Sequence, residues 1–106
     1  MNLALQALSR ANSESLSLEF CKNLLAHGGQ LVDIRSPADF RRGALPGALN
    51  LPLNALVYDS GLLNRQRPVI LYGATQGVHC SRAACLLAGR GFARIYHLAV
   101  KQCGAL

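Results

Sequence analysis

The sequence predicts a single small α/β domain, built on a mostly parallel sheet with helices on both faces. Short apolar runs containing β-branched residues alternate along the chain with segments that repeat apolar residues at helical spacing. The chain has 106 residues, of which 51% are hydrophobic, and this is enough to bury one core without disulfides. We therefore expect one domain over residues 16–106, preceded by an N-terminal arm or short helix over residues 1–15.

Capping residues and apolar spacing locate the helices. Ser17 can cap the first helix, which Gly28 ends, and Ser36 followed by Pro37 starts the second. Two more helical segments follow, and the last of them carries alanines and leucines at helical spacing, so it is expected to be buried. The predicted helices lie within residues 18–27, 37–43, 53–63 and 80–90.

Short runs of apolar and β-branched residues predict the strands. Residues 68–72 (PVILY) form the most apolar run, so this strand is expected at the centre of the sheet. Residues 46–52 leave room only for a brief extended piece, and the two prolines in this segment place it at an edge. The other strands are expected at residues 30–34 and 94–98.

The charge of the chain favours anionic partners. Lysine and arginine together number 11 against 5 aspartate and glutamate residues, which gives a formal net charge of +6. A small oxyanion fits this charge as well as an acidic protein surface does. Nucleic acid is disfavoured, because the arginines are dispersed and only 3 Tyr and 3 Phe are available for stacking on bases.

The spacing of cysteine and histidine does not indicate a metal site. Cys21, Cys80, Cys85 and Cys103 are irregularly placed, and the chain contains neither a C-x-x-C nor an H-x-x-H pair. We expect reduced thiols, no metal and no cofactor. No apolar run approaches the roughly 20 residues that cross a bilayer, and the N-terminus lacks the charged segment of a secretory signal. A cytoplasmic chain with no membrane partner is therefore expected.

The segment between the third strand and the last helix is the strongest candidate site. Residues 73–79 (GATQGVH) contain two glycines and little core material. A glycine-containing loop that runs from a strand into a helix gathers backbone N–H groups around one point, and the helix adds partial positive charge. We therefore predict an anion-binding loop formed by Gly73, Ala74, Thr75, Gln76, Gly77, Val78 and His79.

Three motifs stand in order between residues 16 and 98. They are LVDIR at 31–35 followed by Pro37, Asp39 and Phe40; GALPGALNLP at 43–52; and the strand, loop and helix over 68–90 followed by GF at 91–92 and IYHL at 95–98. In this order and spacing they resemble the rhodanese family of sulfurtransferase-type domains. The resemblance implies a rhodanese-like α/β fold with its site at the loop after Tyr72. The partners that it implies are a small anion, such as thiosulfate, sulfate or phosphate, or a protein thiol.

The family places a sulfur-carrying cysteine at the first position of that loop, and this chain has none there. Aligned forward from Tyr72, the loop starts at Gly73 and has seven residues; aligned back from Gly91, it starts at Ala74 and has six. In the family, six-residue loops resemble those that handle sulfane sulfur, and seven-residue loops resemble those of related phosphatases and arsenate reductases. The sequence leaves both registers open.

Cys80 is the candidate catalytic residue that remains. It falls where the family has the serine or threonine near the end of the loop, in the first turn of the helix, so its sulfur could point back toward the loop. A helix N-terminus lowers the pKa of a thiol, and the neighbouring His79 could support a bound anion. The alternative is that Cys80 replaces a serine as a small buried residue.

Three functions are compatible with these residues. The first is a rhodanese-like domain that retains the anion-binding loop without ordinary thiosulfate sulfurtransferase activity. The second is an active sulfurtransferase or persulfide carrier that uses Cys80. The third is a binding module for an acidic partner, which rests on charge alone. Whether the chain is an enzyme stays open at this point.

The remaining polar and thiol groups are interpreted as structural. Asp33 and Arg35 resemble the family's pair that ties the first strand to neighbouring loops, and His97 is expected to be a hydrogen-bonded histidine of the last strand. Cys21 and Cys85 are interpreted as packed small residues of their helices. A solvated face is expected for Arg41, Arg42, Arg65 and Arg67.

Overall fold

The computed structural model describes residues 17–73 and 77–98 of the chain. The predicted N-terminal arm, Cys103 and residues 74–76 of the predicted anion-binding loop lie outside the described residues. Within the two described ranges, no helix is both long enough and apolar enough to cross a membrane.

Helices and strands alternate along the described chain, as predicted for an α/β domain. The α-helices are α1 (Leu18–Ala26), α2 (Pro37–Arg42), α3 (Leu56–Asp59) and α4 (Gly77–Gly89). The β-strands are β1 (Gln30–Asp33), β2 (Leu49–Asn50), β3 (Val69–Tyr72) and β4 (Ile95–His97). A short 3-10 helix (Ser60–Leu62) follows α3 directly.

The strands form one parallel sheet in the order β2-β1-β3-β4. β1 and β3 pair along their whole length, from Gln30 opposite Val69 to Asp33 opposite Tyr72. β2 has two residues and lies at an edge, where the prolines on either side of it do not interrupt a ladder. The central position of β3 and the edge position of the 46–52 segment are therefore confirmed.

Side chains alternate between the two faces of the sheet, and each face carries its own apolar cluster. On one face, Val32 belongs to a cluster with Leu56 of α3 and Leu87 of α4. On the other face, Ile70 belongs to a cluster with Cys21 of α1. All residues of β3 are buried, since helices cover both of its faces, and this explains why its sequence is a continuous apolar run.

Both predicted serine caps are present. Ser17 Oγ accepts a hydrogen bond from the backbone N–H of Phe20 at 3.1 Å. Ser36 Oγ accepts one from the backbone N–H of Asp39 at 3.2 Å, and Pro37 occupies the first turn of α2, where no intrahelical bond needs its missing N–H. The cap on α2 determines where the chain turns after β1, beside the carboxyl end of the sheet.

The predicted start of α4 is wrong. The helix begins at Gly77, three residues before the expected start at Cys80, so Gly77, Val78 and His79 are helical residues and not loop residues. Gly77 is misleading as a loop signal, because it lies in the first turn of the helix. The backbone N–H groups of that turn donate no intrahelical hydrogen bonds, so a weak helix former is tolerated there.

Cys85 is exposed, which corrects its interpretation as a packed residue. The buried stripe of α4 contains Cys80, Ala83, Ala84 and Leu87, which follow the i, i+3, i+4, i+7 spacing of one helix face. Cys85 is one position beyond Ala84, and successive residues of a helix are rotated by roughly 100°. Its thiol therefore faces away from the core.

Candidate anion site at the carboxyl edge of the sheet

β1 and β3 are neighbours in the sheet, and their connections leave in opposite directions. The chain passes from β1 to β2 on one side, and from β3 through α4 to β4 on the other. In open parallel α/β sheets, ligands bind outside the carboxyl ends of the strands at such a switch point. Asp33 and Tyr72 are the last residues of β1 and β3 and lie opposite each other. The residues around them form the candidate site.

An ion pair between Asp33 and Arg35 occupies this edge. The Arg35 Nε lies 3.1 Å from each carboxylate oxygen of Asp33, and its Nη2 donates to Oδ2 at 2.8 Å. The backbone N–H of Arg35 donates to Oδ1 at 2.9 Å. The Asp33 side chain is fully buried, whereas that of Arg35 is 29% exposed. The carboxylate therefore has charge-assisted hydrogen bonds that offset the cost of its burial.

The ion pair ties the end of β1 to neighbouring loops, as the resemblance implied. Arg35 Nη2 also donates to the carbonyl oxygen of Gly43 at 2.6 Å, just beyond α2. Asn50 Nδ2 donates to the carbonyl oxygens of Asp33 and Arg35, both at 3.0 Å. The backbone around the ion pair is thus held from two sides.

Tyr72 and Asn50 are two partners that the sequence did not assign. The Tyr72 hydroxyl accepts a hydrogen bond from the backbone N–H of Leu45 at 3.1 Å and interacts with the carboxylate of Asp33. For Asn50, the available signal is an amide side chain within the otherwise apolar segment that contains β2. For Tyr72, it is a polar side chain at the last position of the most apolar strand.

The protonation states of this cluster follow from its hydrogen bonds. Burial raises the pKa of Asp33, but hydrogen bonds from Arg35 and Tyr72 outweigh burial and hold the pKa below the ordinary value of 3.8. Burial, together with the interaction with Asp33, raises the pKa of Tyr72 to about 12. At neutral pH, Asp33 is therefore charged and Tyr72 carries its proton.

Gly73 is the residue that fixes how the loop begins. Its φ is +104°, a backbone conformation that residues with side chains rarely adopt. A Cβ atom at this position would lie 2.7 Å from Cγ of Arg35 and 3.0 Å from Oδ1 of Asp33. The stem of Arg35 therefore occupies the space that any side chain at residue 73 would need.

The predicted loop residues fall into three groups. Gly73 belongs to the candidate site, whereas Ala74, Thr75 and Gln76 lie outside the described residues. Gly77, Val78 and His79 are the first residues of α4, and His79 is exposed. The structure therefore gives the two ends of the predicted anion-binding loop: a glycine packed against the Asp33–Arg35 ion pair, and the N-terminus of a 13-residue helix.

Cys80 is fully buried at the fourth position of α4. It belongs to the same apolar cluster as Val32, Ile34 and Leu51. This environment is the one expected for a small residue that packs against the sheet. His97, at the carboxyl end of β4, is partly buried, and burial lowers the pKa of its imidazole.

A short parallel sheet with helices on both faces, and a connection that leads from Gly73 to α4 at its switch point, define an open α/β domain of the kind to which rhodanese-like domains belong. The chain belongs to this family, since the sequence profile of the Rhodanese-like domain matches residues 17–100. This confirms the resemblance that the three sequence motifs indicated.

Individual relatives agree with the family assignment. Over 68 residues the chain is 32% identical to a sulfurtransferase of Allochromatium vinosum, covering 64% of this chain and 63% of that protein. Over 69 residues it is 38% identical to the uncharacterized protein YqhL of Bacillus subtilis, covering 65% of this chain and 54% of that protein. The chain therefore spans between half and two thirds of these relatives.

A solved structure matches the fold as well. The rhodanese-like domain of the Alr3790 protein from Anabaena sp. superposes with a TM-score of 0.62 at 27% identity, covering 78% of this chain and 84% of that domain. The chain is thus a rhodanese-like domain related to sulfurtransferases.

Proposed function

We propose that this rhodanese-like domain binds a small anion at the connection between β3 and α4, and that it lacks ordinary thiosulfate sulfurtransferase activity. The observation that carries the proposal is the packing of Arg35 against Gly73. Because no side chain fits at residue 73, the first position at which the loop can carry a cysteine is residue 74. The sequence has alanine there. This supports the six-residue register, with the nucleophile absent.

The anion-binding part of the proposal rests on the groups that surround the connection. The N-terminus of α4 has backbone N–H groups without intrahelical acceptors, and the helix places partial positive charge there. The guanidinium of Arg35 is already paired with Asp33, so backbone N–H groups are the donors for an anion. Thiosulfate, sulfate and phosphate all present several acceptor oxygens, and each fits such a set of donors.

Thiosulfate sulfurtransferase activity is expected to be absent because its first step, attack by a thiolate, has no nucleophile in the loop. In sulfur transfer, a thiolate attacks the outer sulfur of thiosulfate, the S–S bond breaks, and sulfite leaves with the bonding electrons. A persulfide remains on the protein. Cyanide then attacks the terminal sulfur of that persulfide, which forms thiocyanate and restores the thiolate. Without a thiolate in the loop, the bound anion has no nucleophile to react with.

A thiosulfate:cyanide transfer assay on Ala74→Cys tests the proposal, with Gly73→Cys as the matched control. Wild type is expected to form thiocyanate at the uncatalysed rate. Ala74→Cys should exceed that rate by a factor of about 10² to 10³, because it supplies the missing thiolate beside N–H donors that contribute roughly that much. Gly73→Cys should gain nothing, because its Cβ meets Arg35. Mass spectrometry should detect a persulfide on Ala74→Cys alone.

Two results would contradict the proposal. A folded Ala74→Cys variant that forms no persulfide would mean that the connection does not bind thiosulfate productively. Wild-type activity that Cys80→Ser abolishes would favour the alternative, in which Cys80 accepts the sulfur. The binding claim has its own measurement: sulfate should shift the amide NMR signals of Gly73 and Gly77, whereas those of Gly43 should not move.

A further inference from the structure

Three loops meet at the amino edge of the sheet, opposite the candidate anion site. They are residues 27–30, which lead into β1 and include its first residue, 64–68 before β3 and 90–94 before β4. The Gln30 side chain links the first two, since its Nε2 donates to the carbonyl oxygen of Asn64 at 2.8 Å and its Oε1 accepts from the Asn64 backbone N–H at 2.7 Å. The first two loops are therefore held side by side.

Four arginines project from these loops, and we call them the amino-edge arginine cluster: Arg65, Arg67, Arg90 and Arg94. All four are exposed. The sequence interpretation treated two of them as part of a solvated face and did not place the other two. The fold brings them together, because Arg67 and Arg94 precede adjacent strands and Arg90 follows the end of α4.

Backbone contacts hold several of these side chains in place. Arg65 Nε donates to the carbonyl oxygen of Arg90, and the Arg65 guanidinium lies 5.8 Å from the centre of the Phe92 ring. Arg94 Nη2 donates to the carbonyl oxygen of Gln66 at 2.6 Å. Arginines held in this way lose less conformational freedom when a ligand binds.

The positive charge of the cluster is largely uncompensated. The three loops contain no aspartate or glutamate. In the part of the chain that the structure describes, the ion pairs are those of Arg35 and Arg42, so none of the four cluster arginines has a carboxylate partner. The carboxyl ends of α1 and α4 lie at this edge and contribute only about half a negative charge each. Four positive charges thus face solvent against roughly one opposing charge.

We propose that the amino-edge arginine cluster is a docking surface for an acidic segment of a protein partner. The guanidinium group of arginine binds carboxylates through paired hydrogen bonds, and arginine is enriched at protein interfaces. Nucleic acid fits less well, since Phe92 is the only Phe, Tyr or Trp residue of the three loops and is 2% exposed, which leaves the imidazole of His27 as the one exposed ring for base stacking. The cluster and the candidate anion site occupy opposite edges of the sheet, so both can be occupied at once.

Binding of a glutamate decapeptide at low salt tests the proposal. The variant Arg67→Gln/Arg90→Gln removes two charges whose side chains make no hydrogen bond to the described backbone. Arg41→Gln/Arg42→Gln removes the same charge from α2 and is the control. The cluster variant should bind the peptide about five- to tenfold more weakly, because each such contact contributes a few-fold. The control should change less than about twofold.

Charge reversal and a competing polymer make the result decisive. Arg67→Glu/Arg90→Glu should abolish detectable binding, and circular dichroism would check that the variant folds. Peptide-induced NMR shifts should fall in residues 27–30, 64–68 and 90–94. Equal weakening by the cluster and control variants would overturn the proposal, since binding would then depend only on net charge. Tighter binding of an oligouridine of the same length would also overturn it and indicate a nucleic-acid surface.

Discussion

Both edges of the sheet carry arginine, but in the described residues a carboxylate pairs with the guanidinium only at the carboxyl edge. At the carboxyl edge, Arg35 is paired with a fully buried carboxylate and its guanidinium is used to hold the backbone. At the amino edge, Arg65 and Arg94 also hold backbone carbonyls, yet no carboxylate balances them in the described part of the chain. An arginine that is paired with a carboxylate of the same chain is structural, whereas one without such a carboxylate is available to a ligand.

This difference has a consequence for stability. A buried ion pair cannot lose one partner without leaving the other poorly solvated, whereas an exposed arginine returns to water at little cost. The carboxyl edge should therefore be sensitive to substitution, and the amino edge should tolerate it.

Asp33→Asn should lower the free energy of unfolding by about 3 kcal/mol, because it removes the charged partner of Arg35 inside the fold. Asp39→Asn is the matched control, since it weakens the Arg42–Asp39 pair, in which the Arg42 side chain is 82% exposed and that of Asp39 is 46% exposed. The control should cost less than about 1 kcal/mol. Urea denaturation measures both values. Equal losses would mean that the burial of Asp33 contributes nothing to its role.

Gly73→Ala should cost about 2–3 kcal/mol, since it combines a disfavoured positive φ with a clash against Arg35. Two other glycines separate these contributions. Gly47 has a φ of +79° but no atom near its Cβ position, so Gly47→Ala should cost about 1 kcal/mol. Gly43 has neither constraint, and Gly43→Ala should change stability by less than about 0.5 kcal/mol. A Gly73 loss no larger than that of Gly47 would argue against the contact with Arg35.

Acid should destabilise the domain in two separate pH windows. The folded pKa of His97 lies below 6.5, so the unfolded chain takes up that proton first, and stability falls as the pH drops below 6.5. The folded pKa of Asp33 lies below 3.8, so its contribution is complete above that value and is lost as the pH falls further. Free energies of unfolding at stepped pH should follow this course. His97→Gln should remove the first step and keep the second.

Salt should have the smallest effect on the free energy of unfolding. Unlike acid, it should stabilise the domain, and it should do so at the amino edge. Raising ionic strength from about 0.01 M to about 1 M shortens the screening length from about 30 Å to about 3 Å, which weakens repulsion within the arginine cluster. Wild type should gain about 0.5 kcal/mol of stability. The Arg67→Gln/Arg90→Gln variant should gain less, and Arg41→Gln/Arg42→Gln should respond like wild type. Identical salt responses in all three would indicate that the cluster arginines do not repel one another.

The class of fold and most of its helices and strands follow from local patterns in the sequence. The serine caps, the continuous apolar run of β3 and the prolines around β2 are local signals, and each reports a backbone preference or a degree of burial that acts over a few residues. The same holds for the three ordered motifs, which pointed to the rhodanese-like family before any contact was known.

Tertiary structure alone decided the start of α4, the exposure of Cys85 and the meaning of Gly73. A glycine in a sequence signals a loop, but only the stem of Arg35 at 2.7 Å makes residue 73 a position without room for a side chain. The arginine cluster could not be predicted from the sequence either, because its members are separated by up to 29 positions and meet only where adjacent parallel strands begin. Local preferences act along the chain, whereas steric exclusion and charge density depend on which distant segments the sheet brings together.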